Sequence, residues 1–110
     1  GRVATVTFAD FGRTLASSGR GSDHGWGGHR IVMGGGVNGG KMFGTYPTLA
    51  QDSPLDVGRG IYAPTLSTDE YFADLALWFG VRDNELPAVL PNVRRFVATG
   101  TRAPLGLFAR

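Results

Sequence analysis

Two histidines and two aspartates are the side chains in this sequence best suited to bind a metal ion. His24 and His29 are the only histidines of the chain, and Asp23 directly precedes the first of them. Asp10 follows the apolar run near the start of the chain. Zinc and related ions take imidazole nitrogen and carboxylate oxygen as ligands. These four residues are therefore the candidate metal ligands. The alternative is a glycine-rich loop whose Asp-His pair has no such role.

An arginine next to Asp10 offers a second kind of chemistry. Arg13 lies in the stretch Phe11-Gly12-Arg13-Thr14. A guanidinium forms paired hydrogen bonds with oxyanions, and a threonine hydroxyl can add another. Arg13 is therefore the candidate for binding the anionic group of a substrate. A surface arginine beside a turn glycine is the competing interpretation.

Residues 34–39 fit the pattern G-x-G-x-x-G, which is typical of dinucleotide-binding proteins when it opens a helix. The residues that follow, GKMFGTYP, do not predict a helix. We therefore interpret this stretch as a glycine-rich turn and predict no bound nucleotide cofactor.

Composition limits the classes of function. The chain has 110 residues, of which 42% are hydrophobic and 18% are charged, as expected for one small globular domain. A net charge of +2 gives no electrostatic reason to expect a nucleic acid partner. The absence of cysteine excludes disulfides, thiolate zinc sites and cysteine nucleophiles. No apolar run predicts a membrane span or a signal peptide.

The order of predicted elements is that of an α/β protein. Residues 2–9, RVATVTFA, predict a strand buried on both faces, and residues 29–34 predict a second strand. Residues 11–28 between them are rich in Gly, Ser and Arg and predict a loop. Residues 41–64 predict an irregular segment. In open α/β sheets the chemistry collects past the carboxyl ends of strands, which is where Asp10 lies.

The strongest local signal predicts a helix over residues 69–79. Ser67 and Glu70 match a capping box, and Gly80 stands where a glycine commonly ends a helix. Its apolar side chains recur at helical spacing and predict a face packed in the core: Tyr71, Leu75, Trp78 and Phe79. A second short helix is predicted over residues 84–90, before Pro91. The tail, residues 97–110, has no clear period and is predicted to be loosely ordered.

Several stretches occur together in one order and carry a family resemblance: VTFADFGRT, GSDHGWGGH, GGGVNGG, YPTL, DVGRG, PTLSTDEYFADLALWFGV and LPNVRRF. Together they resemble the C-terminal part of the bacterial domain-of-unknown-function family 1501. The resemblance extends roughly over residues 3–96. That family is similar to sulfatases and is placed in the alkaline-phosphatase-like superfamily.

The resemblance implies a fold, an activity and a location. Residues 1–96 would be the C-terminal segment of an alkaline-phosphatase-like α/β/α sandwich, with the rest of the parent chain upstream. The activity implied is hydrolysis of sulfate or phosphate esters of small molecules or glycans, assisted by a divalent metal such as zinc or calcium. Family members are often exported, which implies the periplasm. The upstream part would supply the nucleophile and further ligands.

The superfamily's metal ligands can be aligned with this sequence in two registers. In the first, Asp23 and His24 match its adjacent Asp-His pair. In the second, Asp10 matches that aspartate, and His24 or His29 matches a later, separate histidine. We favour the second register because Asp10 ends a predicted strand. Phe11 then stands where a ligand histidine is expected, so one metal position is altered.

Two alternatives to the hydrolase stay open at this point. The altered position also suits a non-catalytic binding or structural module on the same fold, with a degraded metal site. A weaker hypothesis is a self-contained small domain with a polar glycine-rich loop.

Overall fold

The computed structural model describes residues 2–50 and 53–109, which form two compact units. Unit 1 takes its described residues from 2–5, 32–44 and 66–109. Unit 2 takes its described residues from 6–31, 45–50 and 53–65.

Helices and short strands are both present, which confirms the predicted α/β class. The strands are β1 (Ala4–Val6), β2 (Gly12–Ser17), β3 (Ser22–Gly25) and β4 (Val32–Gly34). β1 and β4 form one two-stranded sheet, and β2 pairs antiparallel with β3 in another. The helices are α1 (Thr68–Phe79) and α2 (Leu86–Val89), with 3-10 turns at Asp83–Glu85 and Val93–Arg95. Within the described residues, no helix has the length and apolarity needed to cross a membrane.

The first predicted strand is shorter and more exposed than the sequence indicates. β1 has three residues, and the flanking Val3 and Phe8 are 74% and 69% exposed. A strand is buried on both faces only when layers pack on both sides of its sheet. The β1–β4 sheet leaves these side chains in solvent, so the prediction of burial on both faces is wrong for the described residues.

Residues 11–28 were predicted to be a loop and instead contain the β2–β3 hairpin. Gly12 and Thr14 are buried, whereas Arg13 and Leu15 are exposed. This is the two-residue alternation of a half-buried strand. Because its inner positions hold a glycine and a threonine, hydrophobicity alone does not reveal it.

Helix α1 confirms its predicted boundaries to within one residue. The Ser67 hydroxyl accepts a hydrogen bond from the Glu70 amide at 3.1 Å, and the Glu70 carboxylate accepts one from the Ser67 amide at 3.2 Å. Gly80 ends the helix in the left-handed conformation, with φ 116°. These interactions satisfy backbone groups at the two ends that have no partner inside a helix.

The buried side of α1 differs from the predicted face. Ala73 and Asp74 are the fully buried side chains of this helix, whereas Phe79 is 82% exposed. Core packing was therefore a wrong prediction for Phe79. The core of unit 1 comprises Ala73, Leu86, Val93 and Val97, with Ala76, Leu77, Val81 and Leu90 packed against it.

Within the predicted tail, residues 105–108 pack against α1, although no helix or strand was expected there. Asp74 accepts hydrogen bonds at 3.0 Å from the backbone amides of Leu105 and Leu107. Phe108 stacks on Trp78 with 4.6 Å between ring centroids and forms a single antiparallel bridge with Val37. A buried carboxylate on α1 thus fixes a segment that lacks regular structure.

The region of the second predicted helix is organised around Asp83. The Asp83 carboxylate accepts hydrogen bonds from the Gly100 amide at 3.1 Å and from Arg94 Nη1 at 3.2 Å. These two bonds, the backbone amide first, lower the pKa of Asp83 below its ordinary value. Leu86–Val89 then forms the short helix α2 inside the predicted range.

Replacing Asp74 should show how strongly the tail is held. We expect Asp74→Ala to lower the free energy of unfolding by about 3 kcal/mol, because it leaves two backbone amides unpaired and each hydrogen bond to a charged group contributes ~1.5–3 kcal/mol. Asp74→Asn keeps an acceptor oxygen and should lose less. Urea denaturation of the three proteins measures the effect. Equal stability of Asp74→Ala and the wild type would contradict the anchor.

The lowered pKa of Asp83 predicts a pH dependence of stability. Because the folded state favours the carboxylate, the contribution of Asp83 is complete above its unfolded pKa and is lost as pH falls through the folded value. We expect Asp83→Asn to be less stable than the wild type at pH 7 and the difference to shrink towards pH 3. Denaturation at both pH values measures it. A difference that stays constant with pH would rule the contribution out.

Candidate functional site

The five residues singled out in the sequence all belong to unit 2, on or beside the β2–β3 hairpin. Arg13 lies on β2, and Asp23 and His24 lie on β3. Asp10 lies in the bend before β2, and His29 follows β3. All five are exposed to solvent.

Arg13 and His24 are cross-strand partners in the hairpin. Side chains directly opposite each other in an antiparallel pair lie on the same face of the sheet. Arg13 Nη1 also donates a hydrogen bond to the Ser22 carbonyl at 2.9 Å, which restrains the guanidinium along β3. The hairpin therefore sets two nitrogen-rich side chains next to each other on one exposed face.

The Phe11 ring contacts both members of this pair. It stacks on the His24 imidazole with 3.6 Å between centroids and 11° between planes. The guanidinium carbon of Arg13 lies 4.9 Å from the Phe11 centroid, within the range of a cation–π contact. Phe11, expected to mark a lost ligand, thus holds the imidazole and the guanidinium in place. The two-residue spacing of Phe11 and Arg13, which places both on one face of a strand, was the available signal.

Asp23 lies on the other side of β3 from His24, because successive side chains of a strand point to opposite faces. Its carboxylate Oδ2 accepts a hydrogen bond from Arg59 Nη1 at 2.8 Å. Both side chains are about half exposed, and such a surface ion pair contributes only about 0–1 kcal/mol to stability. The adjacent Asp23 and His24 therefore do not converge on one point.

A tight turn built on Asp56 delivers Arg59 to Asp23. Asp56 Oδ1 accepts hydrogen bonds from the Gly58 and Gly60 amides at 2.8 and 3.1 Å. Arg59 has φ 55°, in the left-handed region, which costs an ordinary residue on the order of 1–2 kcal/mol. The sequence reasoning missed Asp56 and Arg59 as site residues. The spacing D-x-G-x-G was the available signal.

Backbone contacts with β2 hold that turn in place. The amides of Leu15 and Ala16 donate hydrogen bonds to the carbonyls of Gly60 and Arg59, at 3.0 and 3.2 Å. Gly60 is buried, and a Cβ there would collide with Leu15. Only a glycine lets the turn approach the strand so closely.

Tyr62 lies on the buried side of unit 2. Its side chain is 9% exposed, and its carbonyl accepts a hydrogen bond from the Gly27 amide at 2.8 Å. Burial, reinforced by the negative charge of Asp56, raises the pKa of the Tyr62 phenol. Burial and the nearby carboxylate thus favour the neutral phenol over the phenolate at this position.

Trp26 and His29 lie in the segment that follows β3, outside the hairpin. The His29 ring stacks on Tyr46 with 4.8 Å between centroids and 10° between planes. Trp26, which stands between the two histidines in the sequence, is 61% exposed. These rings present apolar surface to solvent beside the hairpin.

The candidate ligands do not form a ligand set as they are arranged. Across residues 2–50 and 53–109, no group of three or more His, Cys, Asp or Glu side chains is placed to hold an ion. Asp23 is bound to Arg59, His24 is stacked on Phe11, and His29 is stacked on Tyr46. The assignment of metal ligands stays a prediction from the sequence.

Comparison with known proteins identifies a family but no characterised relative. A family model described as "Protein of unknown function (DUF1501)" matches residues 2–90, which is most of the chain. Neither curated proteins nor solved structures give a match. Residues 91–110, including the tail held by Asp74, lie beyond the matched range.

Replacing Phe11 should release His24. We expect Phe11→Leu to shift the His24 ring proton resonances downfield, because a ring stacked at 3.6 Å shields them. Phe11→Tyr keeps an aromatic ring and serves as the matched control. NMR spectra of the chain measure the shifts. Identical His24 resonances in the leucine variant and the wild type would contradict the stacked arrangement.

Proposed function

The chain belongs to the DUF1501 family, and on that premise we propose that it serves in the metal-dependent hydrolysis of sulfate or phosphate esters. The observation that carries the proposal is the cross-strand pair of Arg13 and His24 on an exposed face. Both side chains can donate hydrogen bonds to an anionic oxygen, and one aromatic ring holds both.

The role proposed for this pair is to bind the anionic group of the ester. Arg13 donates one hydrogen bond, from Nη1, to the Ser22 carbonyl. A guanidinium has five N–H donors in a planar fork, so others remain for two oxygens of a sulfate or phosphate. Contact with Phe11 restricts the guanidinium before binding, which lowers the entropy lost when an anion is bound.

The metal belongs to the proposal through the family resemblance. When bound, zinc or calcium would polarise the ester oxygen and favour attack on the ester. The predicted ligands Asp10, His24 and His29 do not converge as described, so we derive no step through the metal. The resemblance also carries the proposals that the substrate is a small molecule or a glycan ester and that the protein is exported to the periplasm.

A non-catalytic binding module is the second candidate. The observation that favours it is the ion pair that neutralises Asp23. In residues 2–50 and 53–109, moreover, no group of three or more potential ligands is placed to hold an ion. Such a module would use the Arg13–His24 surface to hold an anionic ester without cleaving it. The two candidates share the anion and differ in metal and turnover.

Anion binding is the first test. We expect inorganic sulfate or phosphate to shift backbone amide resonances of β2 and β3, and Arg13→Gln to weaken binding about tenfold. A charged hydrogen bond contributes ~1.5–3 kcal/mol, and a tenfold change corresponds to ~1.4 kcal/mol. Arg20→Gln removes the same charge from the exposed turn between the strands and should leave the affinity unchanged. Equal weakening by both variants, or no binding, would contradict the proposal.

Metal content and turnover then separate the two candidates. In the full-length parent protein, metal found by mass spectrometry in the wild type and lost in a His24→Ala, His29→Ala double variant, with cleavage of aryl sulfate or phosphate esters, supports the hydrolase. Anion binding without metal or cleavage supports the binding module.

A further inference from the structure

The ion pair of Asp23 and Arg59 is supported by more structure than a surface ion pair needs. Both side chains are about half exposed, where such pairs add little to stability. Yet Arg59 is the one non-glycine residue with a positive φ among the described residues. The turn that carries Arg59 to Asp23 thus imposes on an ordinary residue a backbone conformation that is costly and often found at functional sites.

The turn leaves Arg59 little freedom to point elsewhere. Asp56 accepts two backbone hydrogen bonds across the turn, from Gly58 and Gly60. The Arg59 carbonyl accepts a hydrogen bond from Ala16 on β2, and Gly60 lies against Leu15. Both neighbours of Arg59 are glycines in positive-φ conformations, which gives the turn its shape.

The other partner is equally constrained. The Asp23 amide donates a hydrogen bond to the buried Thr14 hydroxyl at 3.1 Å, and that hydroxyl donates to the Ala16 carbonyl at 2.8 Å. Ala16 is also the residue whose amide binds Arg59. One continuous set of hydrogen bonds therefore fixes both ends of the ion pair.

We propose that the Arg59 guanidinium is the permanent cationic partner of Asp23. It occupies the place at the Asp23 carboxylate where a divalent ion would lie if Asp23 were a metal ligand. A guanidinium supplies positive charge and a directed bond to the carboxylate, as a metal would. Unlike a metal ion, it is covalently part of the chain. Asp23 is then a positioning residue for Arg59, and any metal bound by this chain is bound without it.

The test follows the Asp23 carboxyl carbon by ¹³C NMR in the 110-residue chain. We expect this resonance to differ between the wild type and Arg59→Gln in the absence of metal, and to stay unchanged in Arg20→Gln, the matched loss of charge. On addition of zinc or calcium to the wild type, we expect no saturable shift of the Asp23 carboxyl carbon. Arg59→Lys, which keeps a cation, should fall closer to the wild type than Arg59→Gln.

Two results would overturn the proposal. A saturable shift of the wild-type Asp23 carboxyl carbon with zinc or calcium would mean that a metal displaces Arg59. An identical resonance in the wild type and Arg59→Gln would mean that the pair does not form. If Arg59→Gln fails to fold, the Arg59 Nε resonance in the wild type and Asp23→Asn replaces that comparison, and equal resonances there would likewise overturn it. No ester or oxyanion is used, so failure of the proposed hydrolase is a separate outcome.

Discussion

The candidate site depends on two hydrogen bonds that the Asp56 carboxylate accepts from the backbone amides of Gly58 and Gly60. They close the turn that holds Arg59 in a left-handed conformation, and the turn then bonds to β2 through Arg59 and Gly60. From there Arg59 reaches Asp23 on β3. Without that carboxylate, the amides of Gly58 and Gly60 would need other hydrogen-bond partners. The backbone that carries the Arg59 side chain would then no longer be held in one conformation.

Unit 1 uses the same physical device at another place. Asp74 is fully buried on α1 and accepts hydrogen bonds from two backbone amides of a segment with no helix or strand of its own. In both units a carboxylate accepts hydrogen bonds from backbone amides that would otherwise be paired within a helix or a β-sheet. This suits a chain with 18 glycines, whose flexible backbone loses much conformational entropy on folding.

The exposed face of the β2–β3 hairpin brings together the side chains on which the proposed function rests. Arg13 and His24 meet there because of strand register, and Phe11 contacts both. Asp23 belongs to the opposite face and to Arg59. The stretch that looked like one cluster of metal ligands therefore divides into two sides. One side carries Arg13 and His24, for which we propose anion binding, and the other carries the ion pair of Asp23 with Arg59.

The sequence by itself determined what depends on neighbouring residues. Helix α1, its capping box and its terminal glycine were predictable because all these interactions lie within a few residues. The family was also recognisable from short ordered stretches. Tertiary structure decided the rest: Asp74 rather than Phe79 is buried, and residues 12–25 contain a hairpin. It also decided that Asp23 meets Arg59, 36 positions away. The physical reason is that a strand register and a long-range ion pair depend on which backbone segments meet, and side-chain type alone does not specify this.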